Sequence, residues 1–281
     1  VRPPVSGFAP AAIAEPRQLV RPTTVVAVGS GKGGVGTSTV AALLASTMAA
    51  DGHRVLLVDA GHRLGALHHL LGLEPAVALS ELRGGHREPH DMLLPVSRQM
   101  SLIATCSDDR ELSPTERQLL MRRVSSLFGS YTLVVIDAGS TAVSLLSACR
   151  DGATRLLAVS AADRVSLVAT YAVVKLMHES LPDLRVDLVA NRLDQQSADH
   201  MHEYVNAASV RFLSRTVPFG GSIPDDPDFG RVLAAGLGSD EAATGSSAAV
   251  AARALGEHLL FDDSRPVTTG GAPVLRLLRR G

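Results

Sequence analysis

The stretch Gly29–Thr39, GSGKGGVGTST, follows the apolar run TTVVAVGS and leads straight into VAALLASTMAA at 40–50. An apolar run of this length suits a buried strand, and the alanine- and leucine-rich segment suits a helix. The chain must therefore turn from strand to helix within a few residues, and glycine alone tolerates the backbone angles and close approaches of such a turn. Consecutive N–H groups exposed by the turn converge, and the positive end of the helix adds to them. The loop formed by Gly31, Lys32, Gly33, Gly34, Val35, Gly36, Thr37, Ser38 and Thr39 is accordingly predicted to cradle a polyphosphate. The bland alternative is a glycine turn that holds no ligand.

Working outward, further short apolar runs alternate with helix-like stretches. HRVLLVDA, MSLIATC, YTLVVIDAG, TRLLAVS and LRVDLVANR read as strands, and 38–50, 114–128, 142–150, 165–180 and 196–209 read as helices. Helices near 227–235 and 246–260 are expected to complete the domain. Strand alternating with helix predicts an α/β fold, a mostly parallel sheet covered by helices on both faces. Ligands of such sheets sit at the carboxyl ends of the strands.

The ends differ in texture. Residues 1–23 carry five prolines and no apolar period, which predicts an extended, disordered arm before a domain at 24–260. FDDSRPVTTGGAP at 261–273 reads as a linker, and VLRLLRRG at 274–281 as a short terminal element. At ~100° per residue, Val274, Leu275, Leu277 and Leu278 share one side of a helix and Arg276, Arg279 and Arg280 the other. Val1 reads as a trimmed or non-ATG start.

Composition bounds the partners. With 27 Lys+Arg against 28 Asp+Glu the net charge is −1, which argues against wrapping nucleic acid. Apolar residues form 46% of the chain, enough for a sizeable core. Cys106 and Cys149 are too few for a disulfide scaffold, and no apolar run approaches a bilayer span, so a cytoplasmic location is expected.

Gly31 and Gly36 stand at Walker A spacing, and Ser38 takes the hydroxyl position that would hold Mg²⁺. The lysine expected between Gly36 and Ser38 is replaced by Thr37. The GKGGVG run, with Lys32 directly after Gly31, resembles the deviant Walker A loop of the MinD/ParA family, and the resemblance covers about 24–260. HRVLLVDA with Asp59, and RLGALHHLLGLEPAVALSEL after it, are similar to switch I of the MinD and FlhG/FleN branch. VVIDAGS with Asp137 resembles the Walker B strand, VANR the segment holding Asn191 and Arg192, and SIPDDP the family's Ile-Pro-x-Asp-Pro segment.

The resemblance implies a SIMIBI-type P-loop NTPase fold that binds ATP and Mg²⁺ and works as a homodimer with ATP sandwiched between subunits. Lys32 would be the signature lysine that reaches the partner's phosphates. Ser38, Asp59 and Asp137 would hold Mg²⁺ directly or through water, with Lys32, Asp59 and Asp137 as the catalytic set. Asn191 would read the adenine edge, with Arg192 beside it. The implied role is nucleotide-dependent control of the placement or number of a cell structure, a flagellum or division site. The amphipathic Val274–Arg280 would contact the inner face of the membrane, as cationic residues beside leucines suit an anionic leaflet.

Two departures bear on hydrolysis. The loop lysine's charge is absent at Thr37, and the switch I carboxylate two residues after Asp59 is replaced by Gly61. Phosphoryl transfer depends on neutralising charge and positioning water, each contributing on the order of 10²–10⁴ in rate. A pseudo-ATPase, or an enzyme slower than its relatives, is expected. Lys32 acting across the dimer, or Arg63 beside His62, could restore charge, though a solvated loop is the simpler reading of His62 and Arg63. His86 and His90 have metal-ligand spacing, but Pro89 breaks the helix that would join them. Cys106 and Cys149 are expected to be small core residues rather than cluster ligands. The alternatives are a ParA-type partitioning ATPase and a nucleotide-independent scaffold.

Overall fold

The computed structural model describes residues 22–61, 65, 67–74, 81–82, 87–104, 113–227 and 245–261. The expectations for the arm before Pro22, His62, Arg63, His86, Cys106, a helix near 227–235, the linker and the terminal Val274–Arg280 lie outside these residues.

The expected strands form: β1 (Thr24–Gly29), β2 (Val55–Asp59), β4 (Met100–Ile103), β5 (Leu133–Gly139), β6 (Arg155–Ser160) and β7 (Arg185–Asn191). Two more were not read from the sequence, β3 (Leu94–Pro95) and β8 (Phe219–Ile223). The order is β3-β4-β2-β5-β1-β6-β7-β8, with every pair parallel except β3 against β4. Both additions are edge strands. β3 is two residues ending in proline, and β8 contains Gly220 and Gly221, so neither has the apolar run that marks a buried central strand.

The α-helices among the described residues are α1 (Thr37–Ala50), α2 (Leu67–Leu70), α3 (Pro114–Ser125), α4 (Ala142–Arg150), α5 (Arg164–Ser180), α6 (Gln195–Leu213) and α7 (Ser247–Phe261). Alternate strand residues face opposite layers. Val26, Val28, Leu57 and Val135 pack with α1, α2 and α7, while Ala27, Leu56, Ile136 and Leu156 pack with α3, α4 and α5. Ala158, Leu188 and Ala190 pack with α5 and α6. Each large aliphatic side chain removed from water contributes roughly 1.5–3 kcal/mol. Helix α1 lies under α7, where a Cβ on Gly256 would stand 2.1 Å from Met48 Sδ. No helix among the described residues is long and apolar enough to cross a membrane.

At the opposite end of the sheet from the glycine loop lies a buried ion cluster. Asp187, fully buried on β7, is 3.2 Å from Arg155 of β6 and accepts a 2.8 Å hydrogen bond from Arg185 Nε.

Candidate functional site

The glycine loop leaves β1 at Gly29 and enters α1 at Thr37, at the carboxyl edge of the sheet. Gly36, immediately before α1, has φ 93°, and a Cβ there would lie 2.2 Å from Asn191 Nδ2. Gly31 is forced differently: its Cβ would meet the Ala169 carbonyl oxygen of α5 at 2.1 Å. Both positions require glycine, one by conformation and by space, the other by space alone.

Thr37 is buried, and its hydroxyl donates to Ser30 Oγ at 2.8 Å, while Ser30 Oγ donates to the Lys32 carbonyl at 3.0 Å. This hydroxyl relay braces the loop internally and brings no positive charge to it.

Asp59 ends β2 and Asp137 lies near the end of β5, and the two are directly paired residues of adjacent parallel strands. Both are buried, at 2% and 3% exposure. Asp137 accepts hydrogen bonds from the Ser38 hydroxyl and, at 3.0 Å, from Gly139 N–H. Burial pushes its carboxyl above the usual carboxylate range, and those two bonds oppose the rise. Asp59 accepts from Gly61 N–H at 3.2 Å. Two carboxylates and one hydroxyl make an all-oxygen set of hard donors, which fits Mg²⁺.

Lys32 does not point into the cleft above the loop. Its ammonium lies 3.1 and 3.2 Å from the two carboxylate oxygens of Asp163 and 3.5 Å from Ser166 Oγ. Asp163 also caps α5, accepting from Val165 N–H and Ser166 N–H. The Ser166 hydroxyl and N–H, then Lys32, hold its carboxyl down at about 2.

Asn191, the last residue of β7, is buried and donates from Nδ2 to the Val35 carbonyl at 2.8 Å. Arg192 has a left-handed backbone, φ 58°, and donates to the Gly34 carbonyl at 3.3 Å. The Asn-Arg pair thus grips two consecutive carbonyls of the loop. Together they wall a cleft of about 500 Å³, which also takes in Ser38, Ser140, Leu70 and the segment Ile223–Asp226. That is within the usual range of small-molecule sites. The loop and the start of α1 line this cleft together with apolar Leu70, Ile223 and Pro224 and acidic Asp225 and Asp226.

A sequence model of the CobQ/CobB/MinD/ParA nucleotide-binding domain matches residues 26–239. The chain belongs to the MinD/ParA family. Among the relatives it is similar to is the antiactivator FleN of Pseudomonas aeruginosa, 28% identical over 256 residues, covering 88% of this chain and 89% of FleN. Its fold is similar to that of a ParA family ATPase from Chlorobium tepidum, with TM-score 0.69, 21% identity, and coverage of 84% and 99% of the two chains. It is also similar to the septum site-determining protein MinD of Pyrococcus horikoshii, whose structure is a complex with Mg-ADP, with TM-score 0.67, 21% identity, and coverage of 84% and 96%.

Of the residues singled out in sequence as a MinD/ParA site, the fold brings Gly31–Thr39, Asp59, Asp137, Asn191 and Arg192 to one end of the sheet. Lys32 is in the same loop but turned to α5. Gly61 carries no carboxylate, and its nearest side-chain neighbour for an added Cβ is Asp59 Oδ1 at 3.3 Å. Ser30, Asp163 and Ser166 were not anticipated. Asp163 had a local signal as a helix N-cap after a strand, but nothing in sequence tied it to Lys32. Of the two cysteines, Cys149 is buried and its thiol is pushed up to about 12, consistent with a core role.

Proposed function

We propose that this chain binds ATP with Mg²⁺ in the cleft at Gly31–Thr39 and acts as a nucleotide-dependent, dimerising regulator of cell-structure placement or number, with hydrolysis weak or lost. The observation that carries the reading is the register that sets Asp59 against Asp137 beside Ser38, at the mouth of a glycine loop leading into α1. The family membership and the Mg-ADP complex of the MinD neighbour support the nucleotide and the metal. The likeness to FleN and MinD supports the regulatory role.

In this reading the loop N–H groups hold the phosphates and Ser38, Asp137 and Asp59 hold the Mg²⁺. When bound, Mg²⁺ neutralises charge on the phosphates. Asn191 and Arg192 fix the loop from below and border the base. Thr37 and Gly61 leave two catalytic roles unfilled, so binding outlasts chemistry. Lys32 serves as the deviant Walker A lysine, exchanging Asp163 for the partner's phosphates in an ATP-sandwiched homodimer. Residues 24–260 form the nucleotide-binding domain, between the arm 1–23 and the linker 261–273. The tail 274–281 contacts the inner face of the membrane, and the protein is otherwise cytoplasmic.

Calorimetric titration with ATP and Mg²⁺, with light scattering for mass and phosphate release for turnover, tests this. Saturable binding and a doubling of mass with little turnover are expected. Turnover equal to that of an intact relative would end the pseudo-ATPase reading, and absence of binding would end the nucleotide reading. The Thr37 hydroxyl, which donates to Ser30 within the loop and brings no charge for a phosphate, favours a second reading: a scaffold whose dimerisation ignores ATP.

A further inference from the structure

The apolar stripe of α3 is interrupted by a charge. Leu120, Met121 and Val124 are buried in the core, and Arg117, three and four residues before Leu120 and Met121 and on the same face, is buried with them at 5% exposure. A guanidinium in that position must find acceptors, because an unmatched buried charge is costly. Arg117 NH1 donates to the Ala60 carbonyl at 3.2 Å and the Gly61 carbonyl at 2.8 Å. These are the two carbonyls directly after Asp59.

The Gly61 residue is thus held from both sides. Its N–H donates to Asp59 Oδ1 at 3.2 Å and its carbonyl accepts from Arg117. Arg117 and Asp59 also line one small cavity of about 10 Å³, room for about one water molecule. Ala60 stays on the sheet through its N–H bond to the Asp137 carbonyl, at 2.9 Å. Directly after Asp59 the backbone is thus fixed at Ala60 by the sheet and at Gly61 by Asp59 and Arg117.

We propose that Arg117 is a positioning residue for the divalent cation: by fixing the Ala60 and Gly61 carbonyls it aims the Asp59 carboxylate, and it ties cation occupancy to helix α3. The inference rests on the nucleotide reading above. Groups that orient a metal ligand from behind typically change metal affinity by about 10- to 100-fold when removed. A residue that served packing alone would weaken binding with and without metal alike.

The test is calorimetric titration of the full chain with a non-hydrolysable ATP analogue, in Mg²⁺ and in EDTA, for wild type, Arg117→Gln and Arg117→Lys. The wild type is expected to gain affinity with Mg²⁺. Arg117→Gln should lose at least about tenfold of that gain while its affinity in EDTA is unchanged, and Arg117→Lys should recover part of it. Hydrogen exchange of wild type supplies a second readout: Mg²⁺ with the analogue should slow exchange in α3 beyond the analogue alone. An undiminished Mg²⁺ gain in Arg117→Gln, or equal losses with and without the metal, overturns the proposal. If the variants do not fold, α3 exchange that is indifferent to Mg²⁺ overturns it. A wild type that binds the analogue in neither buffer refutes the nucleotide reading itself, and this inference with it.

Discussion

Lys32 and Asp163 of the same chain form an ion pair, ammonium to carboxylate at 3.1 Å, at a place where the family resemblance has Lys32 reach a second subunit. The pair is partly exposed, with 40% and 47% of the two side chains accessible, so breaking it costs the fold little. Asp163→Asn keeps an N-cap side chain and removes the charge that holds Lys32. Dimerisation in Asp163→Asn should therefore need a few-fold less ATP than in wild type, with only a small change in Tm near neutral pH. Sedimentation at graded ATP would show this, and an unshifted ATP requirement would count against the exchange of partners.

The same carboxylate sets an acid dependence. Its ordinary value is 3.8 and the fold holds it at about 2, so the folded state favours the ionised form. That contribution is fully present above about pH 4 and disappears as pH falls towards 2. Thermal denaturation from pH 6 to pH 2 should show the wild-type curve converging on that of Asp163→Asn at the acid end. Parallel curves throughout would contradict it.

Thr37→Lys returns a cation to the loop, and Gly61→Asp returns a carboxylate after Asp59. Each role is worth on the order of 10²–10³ in rate. Thr37→Lys is expected to raise phosphate release by about 10²-fold. Gly61→Asp should do less alone, because its Cβ would press on Asp59 Oδ1 at 3.3 Å and add a like charge. Phosphate release from the double variant should exceed either single one. If neither raises turnover, Thr37 and Gly61 are not what limits hydrolysis.

Gly36 and Asn191 should prove coupled. Gly36→Ala strains φ 93° and drives Cβ against Asn191 Nδ2, while Asn191→Ala leaves the buried Val35 carbonyl without its donor, at a cost of about 1–3 kcal/mol. The double variant removes the clash but keeps the strain. Urea denaturation should give a double-variant loss smaller than the two single losses added together. Strict additivity would mean the contact carries no energy.

Asp187→Ala should be among the most damaging substitutions far from the cleft. It leaves Arg155 buried beside Arg185 without their shared carboxylate, at a cost of about 3–5 kcal/mol. Nucleotide affinity of the surviving folded protein is expected to be unchanged, which denaturation and titration together would check.

Six of the eight strands among the described residues were legible because a strand buried on both faces needs a largely apolar run, as LVVIDAG of β5 shows. The exceptions have clear causes. The FGGSI sequence of β8 has two glycines and no alternation, and it becomes a strand only because β7 offers an open edge. The two residues of β3, ending in Pro95, are recruited in the same way by β4. The site was legible where its residues follow directly on strands: Gly31–Thr39 after β1, Asp59 at the end of β2, Asp137 in β5, and Asn191 with Arg192 at the end of β7. Arg117 was missed because a helical arginine ordinarily reads as solvated surface.

The sequence by itself determined the α/β class, the glycine loop and the absence of its lysine, because strand burial and loop chemistry are written in neighbouring residues. Tertiary structure alone decided what those residues touch. Lys32 meets Asp163 across 131 residues, and Asn191 meets Val35 across 156. Such pairings follow from strand order and register, which bring distant segments to one edge of the sheet and leave no local mark. Thr37 illustrates the division: its identity told of a missing charge, and only the fold revealed that its hydroxyl is turned to Ser30, bracing the loop from within.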